Sequence, residues 1–338
     1  NELIKSSKTI GLHTSIFSLL TFNATIVTLI IGGNQILLGI GLASSILLML
    51  DYINDINGHM KGVLDHIHEA MNKYSEFLNV LSIRNIEKEE DNGLLCLNKI
   101  TSIEFNNVKM SYNEKDTILE NINLKINKPM KVAIVGKSGS GKTTLINLIP
   151  RFYDLTDGNI FINGVDYKEY KLNELRKNIS YVFQEPVILN MSIKENLNYG
   201  LENISFEEIR KICIKLGLDN KIMSLPNKYD TIINSKTDLL SFGEKQLLSY
   251  ARAILKNGDI VILDEVTSNL DLEFEQNILS ANKELLKGKI SFLIANRLTT
   301  IKDADLIIFI ENKHIIEAGT HEELLKLNGK YSKLFLTK

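Results

Sequence analysis

Val132-Ala133-Ile134-Val135-Gly136-Lys137-Ser138-Gly139-Ser140-Gly141-Lys142-Thr143-Thr144-Leu145-Ile146 is the stretch on which the reading of this chain turns. An apolar run, a glycine-rich turn and a second apolar run read as strand, phosphate loop and helix. Gly136, Gly139 and Gly141 remove side chains where backbone N–H groups must close around phosphate oxygens. A helix N-terminus beginning near Lys142 adds its partial positive charge. Lys142 can then reach the outer phosphates, and the Thr143 hydroxyl can ligate Mg²⁺. Ser138, Ser140 and Thr144 complete this candidate nucleotide-binding set. A Gly/Ser-rich turn without a ligand is the alternative, and the complete filling of the G-x-x-x-x-G-K-[ST] pattern between strand and helix speaks against it.

A chain of 338 residues has room for about two domains and a substantial core. Its formal net charge of −2 argues against a protein held to nucleic acid mainly by charge. Cys96 and Cys213 lie far apart, outside any metal-like spacing, and read as ordinary thiols of a reducing compartment. No signal peptide is legible, because the N-terminal apolar region runs too long and no small-residue cleavage site follows it.

Working back from the loop, the stretch between Lys8 and Asp51 holds no Asp, Glu, Lys or Arg. Two spans are expected, Leu12 to Ile31 and Ile36 to Ile53, with Gly32, Gly33 and Asn34 as the turn between them. Each approaches the roughly 20 residues that cross a hydrocarbon core of about 30 Å. Lys5, Lys8 and Lys61 flank the open ends, which puts those ends on the cytoplasmic side. Thr14, Thr21, Asn23, Thr25, Ser44 and Ser45 allow a buried soluble helical hairpin as the alternative, although such residues also mark membrane helices that pack on neighbours. From Asp51 to about Leu81, apolar residues recur at helical spacing, so the second span is expected to continue into the cytoplasm as a long amphipathic helix. Glu87 to Gly93 reads as a solvated linker.

Working forward, Tyr112 lies upstream of the loop, where an aromatic ring can stack on an adenine face. Ile179 to Phe183 form a strand-like run ending at Gln184, whose amide can face both Mg²⁺ and an attacking water. Leu240-Ser241-Phe242-Gly243-Glu244-Lys245-Gln246 opens a helix; Ser241 and the uncovered N–H of Gly243 form a second anion-binding end. Ile260 to Leu263 read as a buried parallel strand that delivers Asp264 and Glu265 at its C-terminal end. Asp264 is suited to orienting a Mg²⁺ shell and Glu265 to polarising water for in-line attack on a γ-phosphate. Ser268, Asn269, Leu270 and Asp271 follow.

In that order these motifs resemble the ATP-binding cassette (ABC) family, and the whole chain resembles the end of an exporter-type half-transporter. Arg151 to Asp154 (RFYD), Leu172 to Gly200 and Gly319 to Leu325 (GTHEELL) add to the likeness. The implied fold is an α/β P-loop NTPase cassette, a mixed sheet with a helical subdomain, preceded by an α-helical transmembrane hairpin. The implied division is 1–85 for the partial transmembrane domain, 86–98 for a linker and 99–338 for the cassette. The resemblance implies ATP and Mg²⁺ as ligands, with Tyr112 stacking adenine and Gly136 to Thr143 as Walker A. It makes Gln184 the Q-loop residue, Ser241 to Gln246 the signature motif acting on a partner's ATP, Asp264 and Glu265 Walker B with its base, and Asp271 the D-loop acid. Thr143, Gln184 and Asp264 would ligate the metal; Glu265, Lys142, Gln184 and Asn296 would serve hydrolysis. The implied setting is the plasma or inner membrane, in contact with lipid, with a second half-transporter as partner and earlier membrane helices on a longer polypeptide. A soluble ABC ATPase, the reading from another class, would lack the apolar hairpin.

The sequence departs from the exporter pattern in places. Asn296 stands where the family normally has its switch histidine, and an amide cannot take up a proton near neutral pH. Thr231 to Thr237 lacks the acid of the TEVGERG-like stretch that helps couple to the membrane domain. Phe242 and Glu244 replace a Gly and a Gln of the signature. Retained hydrolysis is the expectation, with a weakly hydrolysing half of a heterodimer as the alternative.

Overall fold

A computed structural model describes residues 2–84, 89–113, 116–201, 203–234, 239–264, 272–294 and 301–336. The chain divides into two compact units, Asn1–Glu90 and Asp91–Lys338.

The first unit is a pair of packed helices, α1 (Glu2–Leu37) and α2 (Ala43–Arg84). Their reversal differs from the expected one. Gly32, Gly33 and Asn34 lie inside α1, and the chain turns at 38–42, where Gly39 adopts φ 72° and the N–H groups of Ile40 and Gly41 both donate to the Gln35 carbonyl. Packing explains the glycine. A Cβ on Gly32 would stand 2.6 Å from Cγ1 of Ile46, so the small residue marks where α2 presses on α1. The expected spans shift accordingly: Ser15–Leu37 is the one helix among the described residues long and apolar enough to cross a membrane, and the stretch from Ile36 to Ile53 is divided by the turn at 38–42, its part from Ala43 opening α2. Ile46, Leu50, Ile53 and Asn57 are less exposed than their neighbours, a four-three-four spacing that turns one seam of α2 toward α1. Asn23 turns its amide to the Leu19 carbonyl of its own helix at 2.9 Å.

The second unit begins earlier than the expected linker boundary. Asp91 accepts a hydrogen bond from the N–H of Leu172 at 3.0 Å, the N–H groups of Leu94 and Leu95 both donate to the Glu169 carbonyl at 2.9 Å, and Leu97 is buried. Residues 91–98 are therefore laid on this unit as ordered chain.

Two large sheets follow from the two strand patterns. Alternating burial along β1 (Ile103–Ser111) and β2 (Thr117–Ile126) suits an antiparallel sheet with one covered face. With β4 (Asp157–Ile162) and β5 (Val165–Asp166) they form the sheet β2-β1-β4-β5. The continuous apolar runs instead form the buried sheet β12-β11-β3-β10-β9-β6. Its strands are β3 (Met130–Val135), β6 (Ile179–Val182), β9 (Ile260–Asp264), β10 (Ile290–Ile294), β11 (Leu306–Glu311) and β12 (His314–Gly319). All but β12 pair in parallel, and β9 and β10 are buried at every residue. One face of this sheet shares a core with β1 and β2 through Ile103, Phe105, Leu119 and Phe292. The other covers a helical layer with α5 (Ile193–Asn198), α6 (Phe206–Lys215), α7 (Asp219–Ser224) and α8 (Phe242–Lys256).

Candidate nucleotide-binding site

The site is built on the C-terminal edge of the parallel sheet, where open α/β sheets bind ligands. Register aligns the strand ends: Ile134 pairs with Ile294, Ile294 with Asp264, and Val182 with Leu263. The loop after β3, the carboxylate ending β9 and Gln184, two residues past β6, thus issue from one edge. Asp264 stands two strands from β3, about 10 Å at the usual strand spacing.

The loop geometry follows from its glycines. A Cβ on Gly136 would collide with the Ile310 carbonyl oxygen of β11 and stand 2.7 Å from Ser140 Oγ. Gly139 and Gly141 have φ of 76° and 99°, and a Cβ on Gly141 would lie 2.7 Å from a methyl of Leu119. Gly141 is the N-cap of α3 (Lys142–Leu148), whose first N–H groups carry no side-chain cap. The Lys142 ammonium donates to the Gly136 carbonyl at 3.1 Å and the Lys137 carbonyl at 2.9 Å, holding its charge against the loop. Ser138 and Gly139 are exposed at the tip, as is Thr143 on the first turn of α3. The Ser140 hydroxyl is buried without a partner among the described residues. These are a glycine cradle at a helix N-terminus without a side-chain cap, with a cation and hydroxyls on the spot.

Tyr112 stands just beyond β1, 46% exposed, and its hydroxyl is 3.0 Å from the buried Thr144 hydroxyl on α3. Its ring meets Tyr153 edge-on at 4.8 Å between centroids. A sequence separation of 32 residues is closed here, placing an open aromatic face beside the phosphate-loop helix.

Gln184 is exposed and Asp264 is buried at 7% exposure. Burial, with a smaller contribution from the Asp264 carboxylate, pushes the Tyr181 phenol far above its ordinary range, so it stays protonated and donates to Asn147 at 2.9 Å. Tyr181 also stacks on Phe183 at 4.2 Å, and with Phe152, Val187, Tyr199 and Arg252 these rings line a cleft of about 310 Å³ next to Gln184.

Ser241 caps α8. Its hydroxyl accepts from the Glu244 N–H at 3.2 Å while the Glu244 carboxylate accepts from the Ser241 N–H at 2.7 Å. The reciprocal pair explains Glu244, which reads in sequence as a departure and serves here as the second half of a capping box. Gly243 is buried and Phe242 is 46% exposed. No hydrogen bond among the described residues joins Ser241 or Gly243 to the phosphate loop of the same chain. Glu265 and Asp271, in 265–271, and Asn296, in 295–300, lie outside the described residues, as do 235–238, which include the end of the Thr231 to Thr237 stretch.

Three polar residues stand behind this edge: Asn196 and Arg252, to which the sequence assigns no role, and Gln246, which it places only at the end of the signature motif. Gln246, Asn196 and Arg252 hold the segment after β6 by its backbone, through bonds as long as 65 residues in sequence. A sequence signal exists for Gln246: it is an amide on the stripe Gly243, Gln246, Leu247, Tyr250, which is otherwise small or apolar.

Residues 119–268 match the family model described as "ABC transporter". By that match the chain contains an ABC transporter domain, which spans less than half of its length. The ATP-dependent lipid A-core flippase of Photorhabdus laumondii is 44% identical over 258 residues, which cover 75% of this chain and 44% of that protein. A putative multidrug export ATP-binding/permease protein of Bacillus subtilis is 42% identical over 234 residues, covering 69% of this chain and 40% of that one. A solved bacterial Atm1-family ABC exporter with ATP bound superposes with a TM-score of 0.70 at 29% identity, over 99% of this chain and 59% of the other. The chain therefore spans about two-fifths of the length of the curated relatives it matches. It carries an ABC-type ATP-binding domain, and the kinship with membrane exporters places its apolar N-terminal helix in a membrane and its cassette on the cytoplasmic side.

Proposed function

We propose that this chain binds and hydrolyses MgATP at the β3–α3 loop and couples that cycle to substrate export, as part of a half-transporter that works with a second half. The observation that carries the reading is the shared sheet edge, on which the glycine cradle with Lys142, the buried Asp264 and Gln184 are held in register by β3, β9 and β6. Tyr112 supplies an aromatic face for the base, and backbone N–H groups of 136–143 with the Lys142 ammonium receive the phosphates. The donor set fits a hard cation: the Thr143 hydroxyl, the Gln184 carbonyl and the Asp264 carboxylate offer the oxygens Mg²⁺ prefers. Bound there, Mg²⁺ would neutralise charge on the phosphates. Glu265, next in sequence to Asp264, is the base for the attacking water.

Ser241 and Gly243 stand at a helix N-terminus directed at no group of their own phosphate loop, which favours a role toward the nucleotide of a second cassette. α1 anchors the chain in lipid, and Gln184 takes the Q-loop role, linking the metal site to the transport cycle. A second reading rests on Asn296: an amide at the switch position gives a slow site that depends on a competent partner cassette. The test is MgATP turnover by the full-length protein purified in detergent, compared with a Glu265→Gln variant. Turnover well above the variant is expected. A wild-type rate equal to that of the variant in protein purified without a partner overturns the hydrolysing reading in favour of the second.

A further inference from the structure

We infer that Gln246 is a positioning residue that ties the backbone beside Gln184 to the signature helix α8, so that contact at Ser241 and Gly243 is felt at Gln184. The inference rests on the proposed role of these motifs and names the physical link between them.

The segment 183–190 has no regular secondary structure, so its backbone polar groups need partners from elsewhere. They come largely from side chains of two helices. Gln246 Nε2 donates to the Phe183 carbonyl at 3.1 Å, one residue before Gln184. Arg252 Nη1 donates to the Val187 carbonyl at 3.1 Å, three residues after it. Asn196 brackets Leu189, accepting from its N–H and donating to its carbonyl, both at 3.0 Å. Arg252 also donates to Asn196, through Nε to its carbonyl at 2.8 Å and through Nη2 to its side-chain oxygen at 3.2 Å. Gln184 is thus suspended between two anchors on α8, six positions apart and about 9 Å along the axis. The N-terminus of the same helix carries Ser241, and Gly243 precedes Gln246 by less than one turn.

The chemistry of Gln246 argues for more than packing. The side chain is wholly buried, yet its Oε1 has no partner among the described residues. An unsatisfied buried amide oxygen is destabilising, so an apolar residue of the same size would serve packing better. What the amide alone provides is the donor to Phe183. That carbonyl belongs to the residue level with Asp264 in the sheet register, since Val182 pairs with Leu263. Displacement of α8 therefore acts on the backbone between the candidate metal ligands Asp264 and Gln184.

Gln246→Met keeps the volume and removes the donor. In the full-length protein, fluorescent-ATP affinity in the Glu265→Gln background should stay within about twofold, while kcat for MgATP falls about fivefold with KM little changed, the worth of one hydrogen bond. Hydrogen exchange supplies a readout that packing loss would not move. In the wild type, amides of 184–189 and of 243–246 should change protection at the same MgATP midpoint, and in Gln246→Met the first group should stop responding while the second still does. Different midpoints in the wild type, or a Gln246→Met chain with wild-type kcat, overturn the inference even if the variant folds poorly. A wild type that binds no ATP refutes the proposed function instead, which keeps the two failures apart.

Discussion

Replacing Gly136 with alanine tests the cradle at its tightest point. The new Cβ would collide with the Ile310 carbonyl, a backbone atom of β11 held between β3 and β12, and would lie 2.7 Å from Ser140 Oγ. Ordinary carbon–oxygen contacts begin near 3.3 Å, so something must move by roughly 1 Å, and the loop is softer than the sheet. Overpacking of this kind costs about 1–3 kcal/mol, which corresponds to about 5- to 150-fold in affinity if it falls on the bound loop. Gly139 is the internal control. A Cβ there meets nothing within 4 Å, and the φ of 76° leaves only local strain of about 1–2 kcal/mol. Equilibrium titration with a fluorescent ATP analogue, alongside thermal unfolding to confirm the fold, should rank wild type, Gly139→Ala and Gly136→Ala in falling affinity. Gly136→Ala binding within about twofold of wild type, or Gly139→Ala binding as weakly as Gly136→Ala, would refute the geometry of the cradle.

Tyr112→Phe should keep ATP affinity within about twofold, whereas Tyr112→Ala should lose roughly 1 kcal/mol, or about fivefold, if the ring stacks on the base; equal affinities for all three proteins would remove Tyr112 from the site. In the helical layer, burial works against the Asp219 carboxylate, but hydrogen bonds from Tyr229 and Arg210 outweigh it and hold its pKa below the usual value. Its stabilisation is therefore full above the unfolded carboxylate pKa of about 3.9 and lost as pH falls through the lower folded value. Asp219→Asn should lower the melting temperature near pH 7 and converge on wild type in acid, and a constant gap across pH would contradict the pairing. Cys213 is buried and its thiol is pushed up to about 11 chiefly by that burial, while Cys96 is exposed. A thiol reagent at neutral pH should modify Cys96 alone until the protein unfolds, and fast reaction of both would place Cys213 outside the core. Asn296→His should raise the turnover rate if the switch position limits it, and an unchanged rate would assign the limit to another step.

The parts legible in the sequence are those whose signal is local. The phosphate loop announces itself because strand, glycines and helix follow within fifteen residues, and the run from Ile260 to Asp264 reads as a buried parallel strand because every position is apolar up to its terminal acid. Gly32 and Gly33 are ambiguous in sequence because a glycine pair marks either a turn in water or a close crossing between packed helices; the contact of Gly32 with Ile46 distinguishes the two. Glu244 is legible as the fourth residue of an S-x-x-E box, a local role that the signature pattern, with a Gln at this position, does not display. Tyr112 on Thr144 and Gln246 on Phe183 were beyond reach, since each bond joins segments that only the completed sheet brings together.

The most direct measurement is a structure of the full-length Glu265→Gln protein with MgATP. The account predicts phosphates seated on the N–H groups of 136–143 beside Lys142, Mg²⁺ held by Thr143, Gln184 and Asp264, and Ser241 and Gly243 of a second cassette on the same nucleotide. A nucleotide bound elsewhere, or one touched by Ser241 of its own chain, would contradict it.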